Sequence, residues 1–88
     1  MFIALVATKL TLYSRGMCGW CIEAKDFLSE RGYQFTVVDV GHDPVAYEEM
    51  KRRSSQTLVP VLTAGDEVLV NFDTDQLEQF LNEHGIKP

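Results

Sequence analysis

Cysteine is scarce in this chain: Cys18 and Cys21 are the only two among 88 residues. A disulfide scaffold needs more cysteines, spread further apart, and a bridge across so short a loop adds little to fold stability. The pair therefore reads as chemical rather than structural. Basic residues are few as well, eight Lys and Arg against thirteen Asp and Glu, for a net charge of −5. The longest basic run is Lys51-Arg52-Arg53. Nucleic acid and anionic membrane surfaces both require clustered cations, so neither is expected as a partner. Long apolar runs are missing too. The longest, Met1 to Ala7, is far short of the ~20 residues a membrane helix needs, and no basic segment precedes it. We read it as a leader that extends the first strand or packs beside it, and we expect a cytoplasmic protein. Repeats, low-complexity tracts and linkers are absent. With 45% hydrophobic and 24% charged residues, residues 1–88 read as one ordinary folded domain, too small to carry a separate cofactor domain.

Periodicity and turn residues then give the order of elements. Lys9 to Ser14 alternates and is rich in strand formers. Arg15 to Cys18 is a loop. Gly19 to Arg31 is a helix with Ala24, Phe27 and Leu28 on one face, closed by Gly32. Gln34 to Val40 is a second strand. Asp43 caps a helix that begins at Pro44 and runs to about Arg53. Leu58 to Thr63 and Glu67 to Phe72 are two strands joined by a turn at Gly65-Asp66. Asp73 or Thr74 caps a last helix, Asp75 to His84, with Gln76 at capping-box distance from Asp73. The order β-α-β-α-β-β-α implies an α/β fold with a four-stranded mixed sheet, because the first β-α-β unit forces a parallel pair and the final hairpin an antiparallel one. Pro60 breaks the pattern of its strand, since proline cannot donate to a ladder; the strand either begins near it or lies on an edge.

The chemistry lies in Cys18-Gly19-Trp20-Cys21. The motif follows a strand and opens a helix, so Cys18 sits where free N–H groups and the helix dipole favour an anion. A thiol with pKa near ~8.5 is about 3% ionised at neutral pH, and lowering it to roughly 6 raises that to about 90%. The shift requires only ~3.4 kcal/mol of preferential stabilisation, within reach of several N–H donors, the dipole and nearby Arg15. Cys21 lies one turn later, able to attack a mixed disulfide formed on Cys18. Cys18 is the expected nucleophile and Cys21 the resolving thiol. A structural zinc site needs four ligands. The other candidates, His42 and His84, stand at no ligand spacing, so no metal site is expected; His84 reads as a cation at a helix end. Trp20 reads as a flat apolar contact or a residue packed on the helix start, Tyr13 as a strand residue at the rim of the site, and Glu48 to Arg53 as a solvated helix face.

The stretch Tyr13 to Leu28 resembles the active-site segment of dithiol glutaredoxins, with Arg15 where that family carries a basic residue three before its first cysteine. Gln56-Thr57-Leu58-Val59-Pro60 resembles the family's segment ending in Thr-Val-Pro, with Leu58 in place of threonine. Phe72 to Leu77 aligns with its Gly-Gly-x-Asp-Asp-Leu. The resemblance implies the thioredoxin fold, a cis Val59-Pro60 bond, and a monomeric thiol–disulfide oxidoreductase. Such an enzyme reduces protein disulfides or glutathione mixed disulfides and holds no bound cofactor. It further implies glutathione as electron donor, lying beside Cys18 and pairing with Val59, its charged ends meeting Arg15, Gln56 and the Thr74–Asp75 helix start. Two residues depart from the pattern: Phe72 and Asp73 replace the glycine pair, and side chains there are expected to crowd a glutathione groove. Asn71-Phe72 followed by Asp75 is similar instead to small redoxins that serve ribonucleotide reductase and take electrons from thioredoxin reductase with NADPH. Gly19-Trp20 resembles the middle of the monothiol Cys-Gly-Phe-Ser motif, which implies, as the alternative, an iron–sulfur cluster held by Cys18 and glutathione across a dimer.

Overall fold

The computed structural model describes residues 8–88, and the leader expected over Met1 to Ala7 lies outside them. The elements are β1 (Leu10–Ser14), α1 (Gly19–Glu30), β2 (Thr36–Asp39), α2 (Pro44–Ser54), β3 (Val61–Ala64), β4 (Glu67–Val70) and α3 (Thr74–Glu83). Their order is the one expected from turn chemistry. They form one four-stranded sheet in the order β2-β1-β3-β4. β1 runs parallel to β2 and antiparallel to β3, and β3 is antiparallel to β4. This is the thioredoxin fold.

The alternation along β1 divides the core. Leu10 and Leu12 face one side, where they pack with Leu62 and Ala64 of β3, Ala24 and Leu28 of α1, and Leu77, Phe80 and Leu81 of α3. Tyr13 faces the other side with Val61, against Ala46 and Met50 of α2. Side chains so buried contribute about 1.5–3 kcal/mol each, and they set which face each helix covers.

The ends of the elements follow their caps. Cys18 is the N-cap of α1. Asp43 caps α2 by accepting from the Ala46 N–H at 3.1 Å, with Pro44 in the first turn. Asp73, not Thr74, caps α3: it accepts from the Gln76 N–H at 2.8 Å, and the Gln76 side chain accepts from the Asp73 N–H at 2.9 Å. Ser55, after α2, and Asn71, after β4, both take left-handed backbone.

The strands are shorter than local propensity implies. β3 begins at Val61 because its pairing with β1 ends at Tyr13↔Val61, and Pro60 has no N–H to extend it. The Val59–Pro60 bond is cis, as the resemblance implies. β4 stops at Val70, opposite Val61, and Asn71 then donates its N–H to the Pro60 carbonyl at 2.8 Å. β2 keeps only the four residues that find partners on β1.

Candidate active site

The register decides which loops meet. β1 ends at Ser14, and parallel pairing sets Asp39 beside it. Antiparallel pairing sets the entry to β3 next to Tyr13, and the exit of β4 next to that. Three segments therefore converge on one end of the sheet: Arg15 to Cys18, Val59-Pro60, and Asn71 to Asp75. Residues far apart in sequence share one surface through this arrangement.

At its centre Cys18 and Cys21 form a disulfide, with Cα atoms 5.2 Å apart. Cys18 is the N-cap, with extended backbone at φ −112° and ψ 106°. Its sulfur accepts from the Cys21 N–H at 3.1 Å, and its carbonyl accepts from the Ile22 N–H at 3.1 Å. An acceptor at this position takes up a donor that α1 would otherwise leave unsatisfied, and the same geometry stabilises a thiolate. Cys18 is partly exposed, whereas Cys21 is 1% exposed, beneath the first turn of the helix. An incoming disulfide reaches Cys18 first.

Arg15 lies across the turn after β2, its guanidinium carbon 5.9 Å from the Tyr47 ring centroid. Gly41 passes close to Asp39, whose Oδ1 would lie 3.1 Å from a side chain added there. Trp20, between the cysteines, is 46% exposed. Pro60 is buried and Val59 partly so. Gln56 closes its own loop: its amide donates to the Leu58 carbonyl at 3.0 Å, and its oxygen accepts from the Leu58 N–H at 2.7 Å. Thr74 opens α3 and Asp75 is exposed in its first turn.

Two expectations need correction. Phe72 does not crowd the surface. It is 1% exposed and packs in the core with Leu69 and Leu77, because the chain turns at Asn71 and carries the ring under the sheet. Tyr13 does not face the rim. It is buried beneath α2, where its hydroxyl donates to Glu49 Oε1 at 2.7 Å. Burial and this bond push its pKa up to about 12. Sequence reasoning missed the contact because it spans 36 positions; the polar Glu49 on the face of α2 that holds Ala46 and Met50 is the signal that was available.

His42 is held by Asp39, Nδ1 to Oδ2 at 2.9 Å. That bond and the Gly41 N–H hold the Asp39 carboxyl below its usual range. His84 caps the end of α3, its ring tilted against Phe80 with centroids 4.6 Å apart. No group of three or more potential metal ligands occurs among the described residues. An iron–sulfur cluster needs about four ligands, mostly thiolates. In the alternative of a cluster held across a dimer with glutathione, each chain supplies only the Cys18 sulfur, which in this structure is bonded to Cys21.

A thioredoxin fold that exposes one sulfur of a helix-capping Cys-x-x-Cys pair and buries the other defines a dithiol redoxin. The family model described as Glutaredoxin matches residues 10–69, and the chain belongs to that family. A glutaredoxin-like 8.6 kDa protein of the rubredoxin operon of Clostridium pasteurianum is 28% identical over 84% of this chain and 99% of its own length. The glutaredoxin-like protein NrdH of Escherichia coli is 30% identical over 81% of this chain and 86% of its own. The solved structure of that NrdH-redoxin superposes with a TM-score of 0.70, covering 81% of this chain and 92% of the other. Membership supports thiol–disulfide oxidoreductase chemistry at Cys18 and Cys21. No helix among the described residues is long and apolar enough to cross a membrane.

Proposed function

We propose that this protein is a cytoplasmic dithiol reductase of protein disulfides whose electrons come from NADPH through thioredoxin reductase rather than from glutathione. The observation that carries the choice of donor is the capping box on α3. A glutathione carboxylate would be held by a helix start with free N–H groups and by a nearby cation. Here the Asp73 carboxylate already accepts from the Gln76 N–H, and its charge repels a second anion. The Gln56 amide is folded onto Leu58, and Arg15 lies over Tyr47. The solved NrdH-redoxin, described as having a thioredoxin-like activity profile, supports the same choice.

In the reduced protein the Cys18 thiolate, favoured by the Cys21 N–H and the α1 dipole, attacks one sulfur of the substrate disulfide. That bond breaks, and the leaving thiolate takes a proton from solvent. The Cys21 thiol then loses its proton and its sulfur attacks Cys18 Sγ, forming the Cys18–Cys21 disulfide; the second substrate sulfur leaves as thiolate and takes up a proton. Two electrons have passed to the substrate. Trp20 and the partly exposed Val59 hold the substrate backbone beside Cys18, and the buried Pro60 sets the course of Val59; Thr74 and Asp75 bound the far side of the surface.

The test runs two coupled assays side by side on one protein disulfide. One supplies thioredoxin reductase, the other glutathione and glutathione reductase, both with NADPH. Turnover is expected in the first arm. Equal or faster turnover in the second overturns the choice of donor. Cys18→Ser is expected to abolish reduction, and Cys21→Ser to accumulate mixed disulfides visible by mass spectrometry. Unchanged turnover in Cys18→Ser would refute the mechanism.

A further inference from the structure

The surface around Cys18 is graded in polarity, and the grading points to a kind of partner. Its centre is apolar. Met17, immediately before Cys18, is fully exposed, and its left-handed backbone, φ 57°, presents the side chain to solvent. Trp20 stands in the first turn of α1, and Leu58, just before the Val59–Pro60 bond, is 55% exposed. Met17 and Trp20 flank Cys18 in the chain, and the register brings the loop that leads into β3 to the same end of the sheet, so exposed apolar side chains border the reactive sulfur as a contact surface. Leu58 stands where the resemblance places threonine, so its apolar side chain departs from that pattern.

The two flanks differ in charge. On the β2 side lies Arg15, in none of the ion pairs among the described residues. On the β4 side lies the α3 start, with Asp73 as cap and Asp75 exposed in the first turn. The sheet order β2-β1-β3-β4 fixes this polarity: cation, apolar centre, acid.

Resting on the reductase reading, we infer that the preferred partner is a protein segment of matching polarity. It presents its disulfide beside a large apolar side chain, with a cationic residue toward the α3 edge. The apolar side chain seats on Met17, Trp20 and Leu58 and leaves water. The cation meets Asp75, and the overall charge of −5 adds long-range attraction for a basic partner.

The test uses short cyclic peptides with one internal disulfide, its cysteines flanked by Leu and Lys, by Ser and Lys, or by Leu and Asp. A small aliphatic disulfide serves as reference in the thioredoxin reductase assay. The expected kcat/KM for the Leu–Lys peptide exceeds each of the others by at least fivefold. Met17→Asn keeps a residue that tolerates left-handed backbone, and Leu58→Thr restores the residue of the family pattern. Each is expected to lower the ratio of Leu–Lys peptide to reference disulfide at least threefold, mainly through KM. Asp75→Asn is expected to shrink the preference for Lys over Asp. Equal rates for the three peptides, or ratios unmoved by both Met17→Asn and Leu58→Thr, overturn the inference and leave the reductase reading standing. Reduction of neither peptides nor reference disulfide by the wild-type chain overturns both.

Discussion

Asp73 ties the stability of the fold to the choice of electron donor, and Asp73→Ala separates the two. The substitution removes the acceptor of the Gln76 N–H and the negative charge at the positive end of the α3 dipole. Loss of such a cap costs about 1 kcal/mol. Loss of the charge adds roughly 0.5 kcal/mol. For a domain of this size each kcal/mol shifts Tm by about 4–8 °C, so Asp73→Ala is expected to melt ~6–12 °C below wild type. Asp73→Asn keeps a capping oxygen and loses only the charge, with an expected drop of ~2–4 °C. Calorimetry at low salt reads both. The two variants part further in turnover. Asp73→Ala frees the Gln76 N–H at the start of α3 and removes a repelling charge, so its glutathione-dependent rate is expected to rise several-fold; Asp73→Asn rises less, because its side chain still fills the cap. Should Asp73→Ala melt with wild type, the capping bond is not holding α3. Should it melt low with no gain in the glutathione arm, the occupied helix start is not what disfavours that donor.

Two further predictions concern the interior. Tyr13→Phe removes the bond to Glu49 and is expected to cost about 1–2 kcal/mol in denaturant unfolding. It also alters the alkaline limb. The Tyr13 pKa, raised from 10.0 to about 12 by burial and then by Glu49, means that the folded protein favours the neutral phenol. That contribution is complete below pH 10 and disappears as the pH rises toward 12, so wild type is expected to lose stability more steeply than Tyr13→Phe across that interval. A parallel loss in both would refute the assignment. Phe72→Ala empties a core position and is expected to cost ~3–5 kcal/mol, a large share of the stability of a domain this small, seen as a drop in the urea midpoint. A surface-like cost below ~0.5 kcal/mol would contradict its burial.

Much of the fold is legible locally. Asp43 with Pro44 announces α2, Gly32 and Gly85 end helices, and the Gly65-Asp66 turn pairs two strands. Cys18 is readable as a helix N-cap because a strand precedes it and helical periodicity follows. The exact extent of the strands was harder. Leu58 to Thr63 has strand composition throughout, but a strand exists only where a neighbour accepts its hydrogen bonds, and β1 offers none before Val61.

Order of elements, helix starts and the chemistry of the Cys-x-x-Cys pair follow from the sequence alone, because each depends on residues within one or two turns of chain. Tertiary structure decided the rest. Phe72 aligns with a glycine in the family pattern, yet its ring belongs to the core, since the direction of a side chain leaving β4 is set by the sheet beneath it. Tyr13 points to Glu49 because α2 covers that face. The gathering of Arg15, Cys18, Pro60 and Asp75 at one end of the sheet is a product of strand register, a long-range pairing that no local pattern encodes.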